Sequence, residues 1–251
     1  MVDRVHIGNI AVDRITFDEA LAGCQQLVEQ RRGGCVFTPN VDHVVVAEDD
    51  PSFREAYAVA DLVLADGMPI VWASRFLGRP LPGKISGSDL VMPLMRRAAQ
   101  RGWRIYLLGG APGVAERARY VMEADISGLS IVGTSSPDVD TTSRRGYEKI
   151  ISDIRAAEPD LVLVALGAPK QEVFIQQIYR DLSSVVFVGV GGSLDFIAGV
   201  QKRAPKWMSE HGLEWLFRLL HDPRRLWKRY LVRDPRFIVV LCRTLLHAGT
   251  K

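Results

Sequence analysis

The segment "LVLVALGAPKQEVFIQQ" (residues 161–177) carries the pattern that decides the fold. Its apolar run ends in Gly-Ala-Pro, and Lys170, Gln171 and Glu172 follow just where the spacing of apolar residues becomes helical. A continuous apolar run of this length predicts a strand of a parallel sheet that helices cover on both faces. The segment thus predicts a strand, a short loop and a helix, with three long polar side chains at the start of the helix.

The same unit recurs along the chain. Further predicted strands are "GCVFT", "DLVLA", "WRIYLLGG", "LSIVGT" and "SVVFVGVGGS". Because strands alternate with helices of about 10–15 residues, we expect an α/β fold with a doubly wound, mostly parallel sheet of the Rossmann-like type. Before these units, Gly8-Asn9 predicts a hairpin, and Thr16 with Glu19 has the spacing of a helix capping box. We expect an α/β core over residues 1–195 and a helical, basic C-terminal appendage over residues 196–251.

Charge is distributed unevenly along the 251 residues. Residues 202–251 contain 12 Lys and Arg against 4 Asp and Glu, whereas residues 1–201 contain 20 against 25. An acidic core with a basic appendage predicts a polyanionic partner, which phosphate, nucleic acid or anionic lipid could supply.

The cysteines and the apolar runs indicate the cellular compartment of the protein. Three scattered cysteines are typical of a reducing compartment without a disulfide framework. The N-terminal residues lack the pattern of a secretory signal, and the run "FIVVLC" is far shorter than the roughly 20 residues that span a bilayer. We therefore expect a cytoplasmic location.

Ligands of an open parallel sheet bind beyond the carboxyl ends of its strands. The residues that follow the predicted strands are Thr38, Asn40, Asp66, Gly67, Gly109, Gly110, Gly167, Lys170, Gln171, Glu172, Gly191 and Asp195. Glycines and helix N-termini suit phosphate. However, "LLGGAPGVAERA" is not a G-x-G-x-x-G motif, and glycine in such turns often serves geometry alone.

Two of these positions have alternative interpretations. Asp66 precedes Gly67 and Pro69, so spacing favours a helix N-cap, and a general base at the sheet edge is the alternative. Lys170 opposes the dipole at a helix start, which is better explained if an anionic ligand binds against it. Asp138 and Asp140 in "PDVD" imitate a metal-binding pair, but a turn explains them adequately and we expect no metal site.

Eight motifs together resemble one known family. They are "TPNVDH", "ADLVLADGMPIVWASRFLG", "ISGSDL", "YLLGGAPGVAERA", "LVLVALGAPKQE", "GVGGSLDFIAG", "KRAPKWM" and "GLEWLFRLLHDPRRLWKRYL". In this order and spacing, over about residues 34–236, they resemble the WecG/TagA/CpsF glycosyltransferases. The resemblance implies an inverting, metal-independent enzyme without a cofactor. It would transfer a sugar of the N-acetylmannosamine, N-acetylmannosaminuronic acid, glucose or glucuronic acid type from a UDP-sugar to a polyprenyl-diphosphate-linked glycan of bacterial surface polysaccharide or teichoic acid.

The resemblance also implies roles for single residues. Asp66 corresponds to the proposed base of the family, and Thr38, Asn40 and Gln171 to residues of its substrate cleft. Of these three, Thr38 and Gln171 would be catalytic and Asn40 would bind substrate. Gly167 and Lys170 would line the same cleft, whereas Glu172 would orient the loop or cap the helix. The family often has Arg where this chain has Lys84, and a lysine keeps the charge but loses the bidentate fork.

The basic appendage interleaves aromatic residues with arginines. This composition is typical of interfacial helices on anionic lipid. The resemblance implies that the appendage docks at the inner face of the plasma membrane and closes over the cleft, with Arg218, Arg224 or Arg225 reaching a diphosphate. Amphipathic helices that simply pack on the core are the alternative for part of it.

Two other functions compete with the glycosyltransferase. A nucleotide-sugar dehydrogenase or epimerase would need a glycine fingerprint and a Tyr-x-x-x-Lys pair, which this sequence lacks. A nucleic-acid-binding protein could use the basic appendage, but no recognised reading motif is present, so we expect no nucleic-acid partner.

Overall fold

A six-stranded parallel sheet forms the centre of the computed structural model, which describes residues 3–248. A separate antiparallel hairpin precedes it. The strands are β1 (Arg4–Ile7), β2 (Ile10–Asp13), β3 (Gly34–Phe37), β4 (Leu62–Val63), β5 (Arg104–Gly109), β6 (Ser130–Ser135), β7 (Leu161–Ala165) and β8 (Val186–Gly189). The sheet has the order β4-β3-β8-β7-β5-β6, and all its pairings are parallel.

Helices connect the strands and continue beyond the sheet. They are α1 (Phe17–Gln30), α2 (Val41–Asp49), α3 (Pro51–Ala58), α4 (Met68–Phe76), α5 (Gly87–Arg101), α6 (Val114–Asp125), α7 (Tyr147–Ala157), α8 (Lys170–Ile178), α9 (Ser193–Ile197), α10 (Lys206–Glu210), α11 (Glu214–His221), α12 (Pro223–Trp227) and α13 (Arg236–Ala248). A 3-10 turn (Tyr179–Leu182) follows α8, and a π-helical turn (Lys228–Arg233) follows α12.

Two apolar clusters cover the two faces of the sheet. Strands β3, β7 and β8 are buried at every position, because their side chains alternate between these clusters. One cluster contains Phe37, Phe174 and Phe187 with helices α2, α3 and α8, and the other contains side chains of α1, α5 and α6. The doubly wound α/β fold is therefore confirmed. The hairpin and the capping box of Thr16 and Glu19 are present as well.

The C-terminal helices cross the carboxyl edge of the sheet and return to the core. Phe237 and Val240 of α13 are buried in the same cluster as α2 and the hairpin, and the Gly8 backbone N–H donates to Thr244 Oγ1 at 3.0 Å. The appendage is helical, as predicted. Because it packs so closely on the rest of the chain, the boundary at residue 195 stays a prediction. Among residues 3–248, no helix has the length and apolar character needed to cross a bilayer.

Candidate active site

The carboxyl ends of the parallel strands open into a polar cavity of about 690 Å³. Eleven of the residues predicted from the sequence line it: Thr38, Asn40, Asp66, Gly110, Gly167, Lys170, Gln171, Gly191, Asp195, Arg218 and Arg225. Their positions follow from the sheet, because each core loop begins where a strand ends at the same edge. The structure therefore brings most of the predicted site together, including two arginines of the appendage.

Asp66 lies at the end of β4, and it is not the cap of the following helix. Gly67 occupies the N-cap position of α4 with φ 109°, a conformation that favours glycine, and no side chain caps the helix. The cap interpretation that spacing favoured is therefore wrong. The Asp66 backbone N–H donates to Pro39 O at 2.9 Å, which fixes the residue beside the end of β3.

The environment of Asp66 makes its carboxyl group unusually basic. Its pKa is raised to about 7, because burial within the cleft wall and the nearby Glu214 carboxylate raise it more than Lys84, His43 and Arg218 lower it. The side chain nevertheless keeps an opening to the cavity. A carboxylate with a pKa near the operating pH is suited to accept a proton in a reaction.

Thr38 joins two strand ends beneath the cavity. Its hydroxyl donates to Gly189 O at 3.3 Å, linking the end of β3 to the end of β8. Helix α5 approaches closely here, because a Cβ on Gly87 would come within 3.3 Å of Thr38 Oγ1. Thr38 is thus almost buried, with a hydroxyl that borders the cavity.

Gln171 and Glu172 tie the β7 and β8 loops together. Gln171 Nε2 donates to Glu172 Oε1 at 2.9 Å, and Gln171 Oε1 accepts from the Gly191 N–H at 2.9 Å. Glu172 is fully buried and does not line the polar cavity. In this structure both side chains hold the loop that carries Gly191, so Gln171 borders the cavity with its polar atoms already engaged.

His43 extends this network to Asn40, and sequence analysis missed it. His43 Nε2 lies 3.4 Å from Glu172 Oε1, and its Nδ1 lies 2.8 Å from Asn40 Oδ1. Asn40 Oδ1 also accepts from the Asp42 backbone N–H at 3.0 Å, which caps α2. The available signal was the position of His43 in the first turn of a helix whose N-cap is Asn40.

Cationic side chains surround the polar cavity from two directions. Lys170 comes from the core, where its ammonium lies 3.7 Å from the exposed carboxylate of Asp138. The appendage contributes Arg218, Arg225, Arg229 and Arg233. Burial raises the pKa of Asp195 between them, an effect that Arg225 and Arg218 partly offset. This concentration of positive charge suits a phosphorylated ligand.

Four predicted site residues line neither the polar cavity nor a second, mainly apolar cavity beside it: Lys84, Gly109, Glu172 and Arg224. Lys84 Nζ donates to Ser209 Oγ at 2.7 Å, so helix α10 covers it. Gly109 has φ 110° and serves packing, since a Cβ there would lie 2.4 Å from Ala165 O. Arg224 is exposed on α12. Gly67, in contrast, lines the second cavity.

This second cavity, of about 420 Å³, lies on the other side of Asp66 and is mainly apolar. Five residues line both cavities: Asn40, Asp66, Glu214, Arg218 and Arg229. The walls that belong to the second cavity alone include Met68, Pro69, Trp215, Tyr230, Phe237 and Ile238. Glu214, Trp215 and Tyr230 could not be assigned to the site from the sequence, because their placement depends on how the appendage folds back.

The motif that imitates a metal site has local explanations. Asp140 accepts from the backbone N–H of Thr142 at 2.9 Å and from its hydroxyl at 2.7 Å, as in a turn. Within residues 3–248, no group of three or more His, Cys, Asp or Glu side chains is arranged to hold a metal ion.

In open α/β sheets, ligands bind at the carboxyl ends of the strands, and the cations around this cavity suit a phosphorylated ligand. The family model described as "Glycosyl transferase WecG/TagA/CpsF family" matches residues 5–251. A relative from Bacillus spizizenii, N-acetylglucosaminyldiphosphoundecaprenol N-acetyl-beta-D-mannosaminyltransferase, is 33% identical over 214 residues, which cover 85% of this chain and 80% of the relative. The chain belongs to the WecG/TagA/CpsF glycosyltransferase family, and the resemblance predicted from its motifs is confirmed.

Proposed function

We propose that the protein transfers a sugar from a UDP-sugar to a polyprenyl-diphosphate-linked glycan, with inversion and with Asp66 as the general base. The observation that carries this proposal is the position of Asp66, which lines both a polar and an apolar cavity. N-acetylmannosamine is the first candidate for the donated sugar, since the Bacillus spizizenii relative is named for that transfer. The other sugar types that the family resemblance implies are the next candidates.

The polar cavity is the proposed donor site. Loops at Gly110, Gly167 and Gly191 let backbone approach a diphosphate, and Lys170 and Arg225 supply positive charge. Such groups stabilise the negative charge that develops on a departing UDP. We propose that these groups act without a metal ion or cofactor.

The apolar cavity is the proposed acceptor site. The rings of Trp215 and Tyr230 have centroids 6.1 Å apart and planes tilted by 58°, and aromatic faces suit the apolar side of a sugar ring. Arg218 and Arg229 stand where this cavity meets the polar one, within reach of an acceptor diphosphate. Ile238 lines the cavity and is also largely exposed, so a prenyl chain could leave past it.

The proposed reaction is a direct displacement. The acceptor hydroxyl gives its proton to the Asp66 carboxylate while its oxygen forms a bond to the anomeric carbon. The bond from that carbon to the UDP oxygen breaks on the opposite face, and UDP leaves with the electron pair, so the configuration inverts. Asp66, between the two cavities, faces the attacking oxygen, and the cations of the polar cavity face the leaving group.

The appendage is the proposed contact with an anionic membrane surface. Leu231, Val232, Ile238 and Val239 are exposed apolar side chains among its arginines. This combination is typical of segments that lie in the interface of an anionic bilayer. We propose a cytoplasmic enzyme, peripheral on the inner face of the bacterial plasma membrane.

Product formation tests the proposal directly. Purified protein is incubated with each UDP-sugar of a panel and with N-acetylglucosaminyl-diphosphoprenol, and UDP release and the glycolipid product are measured. We expect one UDP-sugar to support transfer and to raise the melting temperature, whereas NAD and oligonucleotides do not. A melting temperature that rises only with oligonucleotides, without sugar transfer, would favour the nucleic-acid alternative instead.

A further inference from the structure

A buried cluster of charges joins the appendage to the core outside the groups that react. Asp42, in the first turn of α2, is only 2% exposed. Its Oδ2 lies 3.3 Å from Arg229 Nε and its Oδ1 lies 2.5 Å from an Arg233 guanidinium nitrogen. A carboxylate of the core is therefore paired with two arginines of the appendage, and the Asp234 carboxylate lies 4.0 Å from Arg229 Nε in the same cluster.

The π-helical turn at Lys228–Arg233 brings these arginines to the same side. Its wider winding is closed by the Asp234 backbone N–H, which donates to Arg229 O at 2.8 Å across five residues. Turns of this kind occur mostly as single insertions and are frequent at functional sites. The irregular turn allows both Arg229 and Arg233 to reach Asp42 from one segment.

The same cluster reaches the active site through Arg229. Arg229 Nη2 donates to Asn40 Oδ1 at 3.2 Å, and both residues line the two cavities. Asp42 thus holds an arginine that in turn contacts the cap of α2. Displacement of Arg229 would open the wall that the two cavities share.

We propose that Asp42 is a positioning residue, which holds the appendage closed over the active site and sets Arg229 against Asn40. The inference rests on the proposed function, since closure forms the acceptor cavity. Removing Asp42 leaves the two arginines with only the Asp234 carboxylate beside them, and this loss of compensation favours opening the segment to water. Arg233 is already partly exposed, so the arginines can leave the cluster without unfolding the sheet.

The contacts of Asp42 with the two arginines are ion pairs and not aligned hydrogen bonds. Among the described residues, Asp42 Oδ1, Arg229 Nε and Arg233 Nε make no hydrogen bond despite their burial. An ion pair without aligned hydrogen bonds has less to offset the desolvation of its charges than a bidentate one. This arrangement suits a closure that opens and re-forms as substrates enter and leave.

Asp42→Asn tests the inference, and Asp49→Asn is the matched control. Asp49 lies at the other end of α2 and pairs with Arg236 of α13 at 2.7 Å, but that pair is exposed. The measurements are amide hydrogen exchange of residues 214–233, the Kd of UDP, and kcat and KM for donor and acceptor.

For Asp42→Asn we expect exchange in residues 214–233 to be about 10-fold faster, because a segment with a broken closure opens locally. We expect kcat/KM for the acceptor to fall by about 100-fold, as for loss of one partner of a buried pair. The donor KM and the Kd of UDP should rise less than the acceptor KM, by up to about 10-fold, because Arg225 moves away while Lys170 and the core loops stay. Asp42→Glu should restore part of the loss. Asp49→Asn should stay within about twofold on all measurements, as an exposed pair contributes little.

Several outcomes separate this inference from the proposed function. Unchanged amide exchange in a folded Asp42→Asn variant, with or without loss of activity, would overturn the proposal that Asp42 holds the appendage closed. If that variant does not fold, Arg233→Gln removes the exposed partner instead, and the same exchange measurement decides. A wild-type protein that transfers no sugar would refute the proposed function, and exchange would still test the closure.

Discussion

The polar and the apolar cavity meet at Asp66, yet the chain builds them in different ways. The polar cavity is mainly formed by loops that follow β3, β4, β7 and β8, so parallel strands fix its residues at one edge. The apolar cavity combines the start of α4 with residues of α11, α13 and the π-helical turn. The first is a property of the sheet, whereas the second exists only when the appendage folds back. In the proposed function, the core loops therefore bind the donor and the appendage completes the acceptor site.

Asp66→Asn should have the largest effect on activity, because it removes the proposed base of the transfer reaction. We expect kcat to fall by about 10²–10⁴-fold, the range for loss of a general base. The Kd of UDP should change little, since the polar cavity keeps its loops and cations. Near-normal turnover in this variant would contradict a reaction in which Asp66, between the donor and acceptor cavities, is the base.

Asp66→Asn should also change the stability of the fold. The raised pKa of Asp66 determines whether the variant is more or less stable than wild type at a given pH. In the unfolded chain the carboxyl group of Asp66 ionises near its usual pKa, whereas in the folded protein it ionises near pH 7. The folded state therefore loses stability as pH rises between these values. Asp66→Asn should be more stable than wild type at pH 8, by on the order of 4 kcal/mol, and similar below pH about 4. Denaturant unfolding at both pH values checks this.

Trp215→Ala should affect the acceptor and leave the donor unchanged. We expect the acceptor KM to rise by about 10-fold, since an aromatic face that stacks on the acceptor sugar is lost. Trp207→Ala is the matched control, because Trp207 is an exposed tryptophan of the appendage that lines neither cavity. If the donor KM rises instead, the two cavities have been assigned in the wrong order.

Lys170→Ala should show the opposite selectivity. We expect the donor KM to rise by about 10-fold with little change in the acceptor KM, because a charge beside the diphosphate is lost. Lys149→Ala, on the exposed face of α7, is the matched control. Equal effects of Lys170→Ala on both substrates would argue against a separate donor cavity.

Ile238→Asp with Val239→Asp should weaken membrane binding by the appendage. Two exposed apolar side chains become charged, so we expect binding to phosphatidylglycerol vesicles to fall by about 10-fold in a sedimentation assay. Val121→Asp on α6 is the control outside the appendage. Binding that is unaffected by the double substitution would place the membrane contact elsewhere.

Treatment with EDTA should have the smallest effect. If backbone N–H groups and cations stabilise the leaving UDP, activity should stay within about twofold of its untreated value. Complete loss that Mg²⁺ or Mn²⁺ restores would assign the leaving-group charge to a metal, and Asp138 and Asp140 would become the first ligands to examine.

The sequence predicted the core half of the site better than the appendage half, for a physical reason. Thr38, Asn40 and Asp66 could be placed because parallel strands end at one edge, whatever the loops do. The cap interpretation of Asp66 was wrong because Gly67 takes the cap position with a positive φ. The contact of Arg229 with Asn40 spans 189 residues, and no local pattern reports it.

Side-chain orientation was also beyond the sequence. Gln171 is at the cavity as predicted, but its amide is engaged by Glu172 and by the Gly191 N–H. Lys84 was placed by motif, whereas its contact with Ser209 depends on where α10 crosses the loop. Spacing identifies the element that carries a residue, and packing against distant elements decides which way its side chain points.

The pH dependence of kcat/KM for the acceptor tests the central claim most directly. Wild-type enzyme should lose activity about tenfold per pH unit below an apparent pKa near 7, because only ionised Asp66 accepts the proton. Asp66→Asn should keep a low residual rate without this acid limb, with Asp195→Asn as the carboxylate control that retains it. A wild-type profile flat from pH 5 to about 8, or an acid limb that persists in Asp66→Asn, would contradict the assignment of Asp66 as the base.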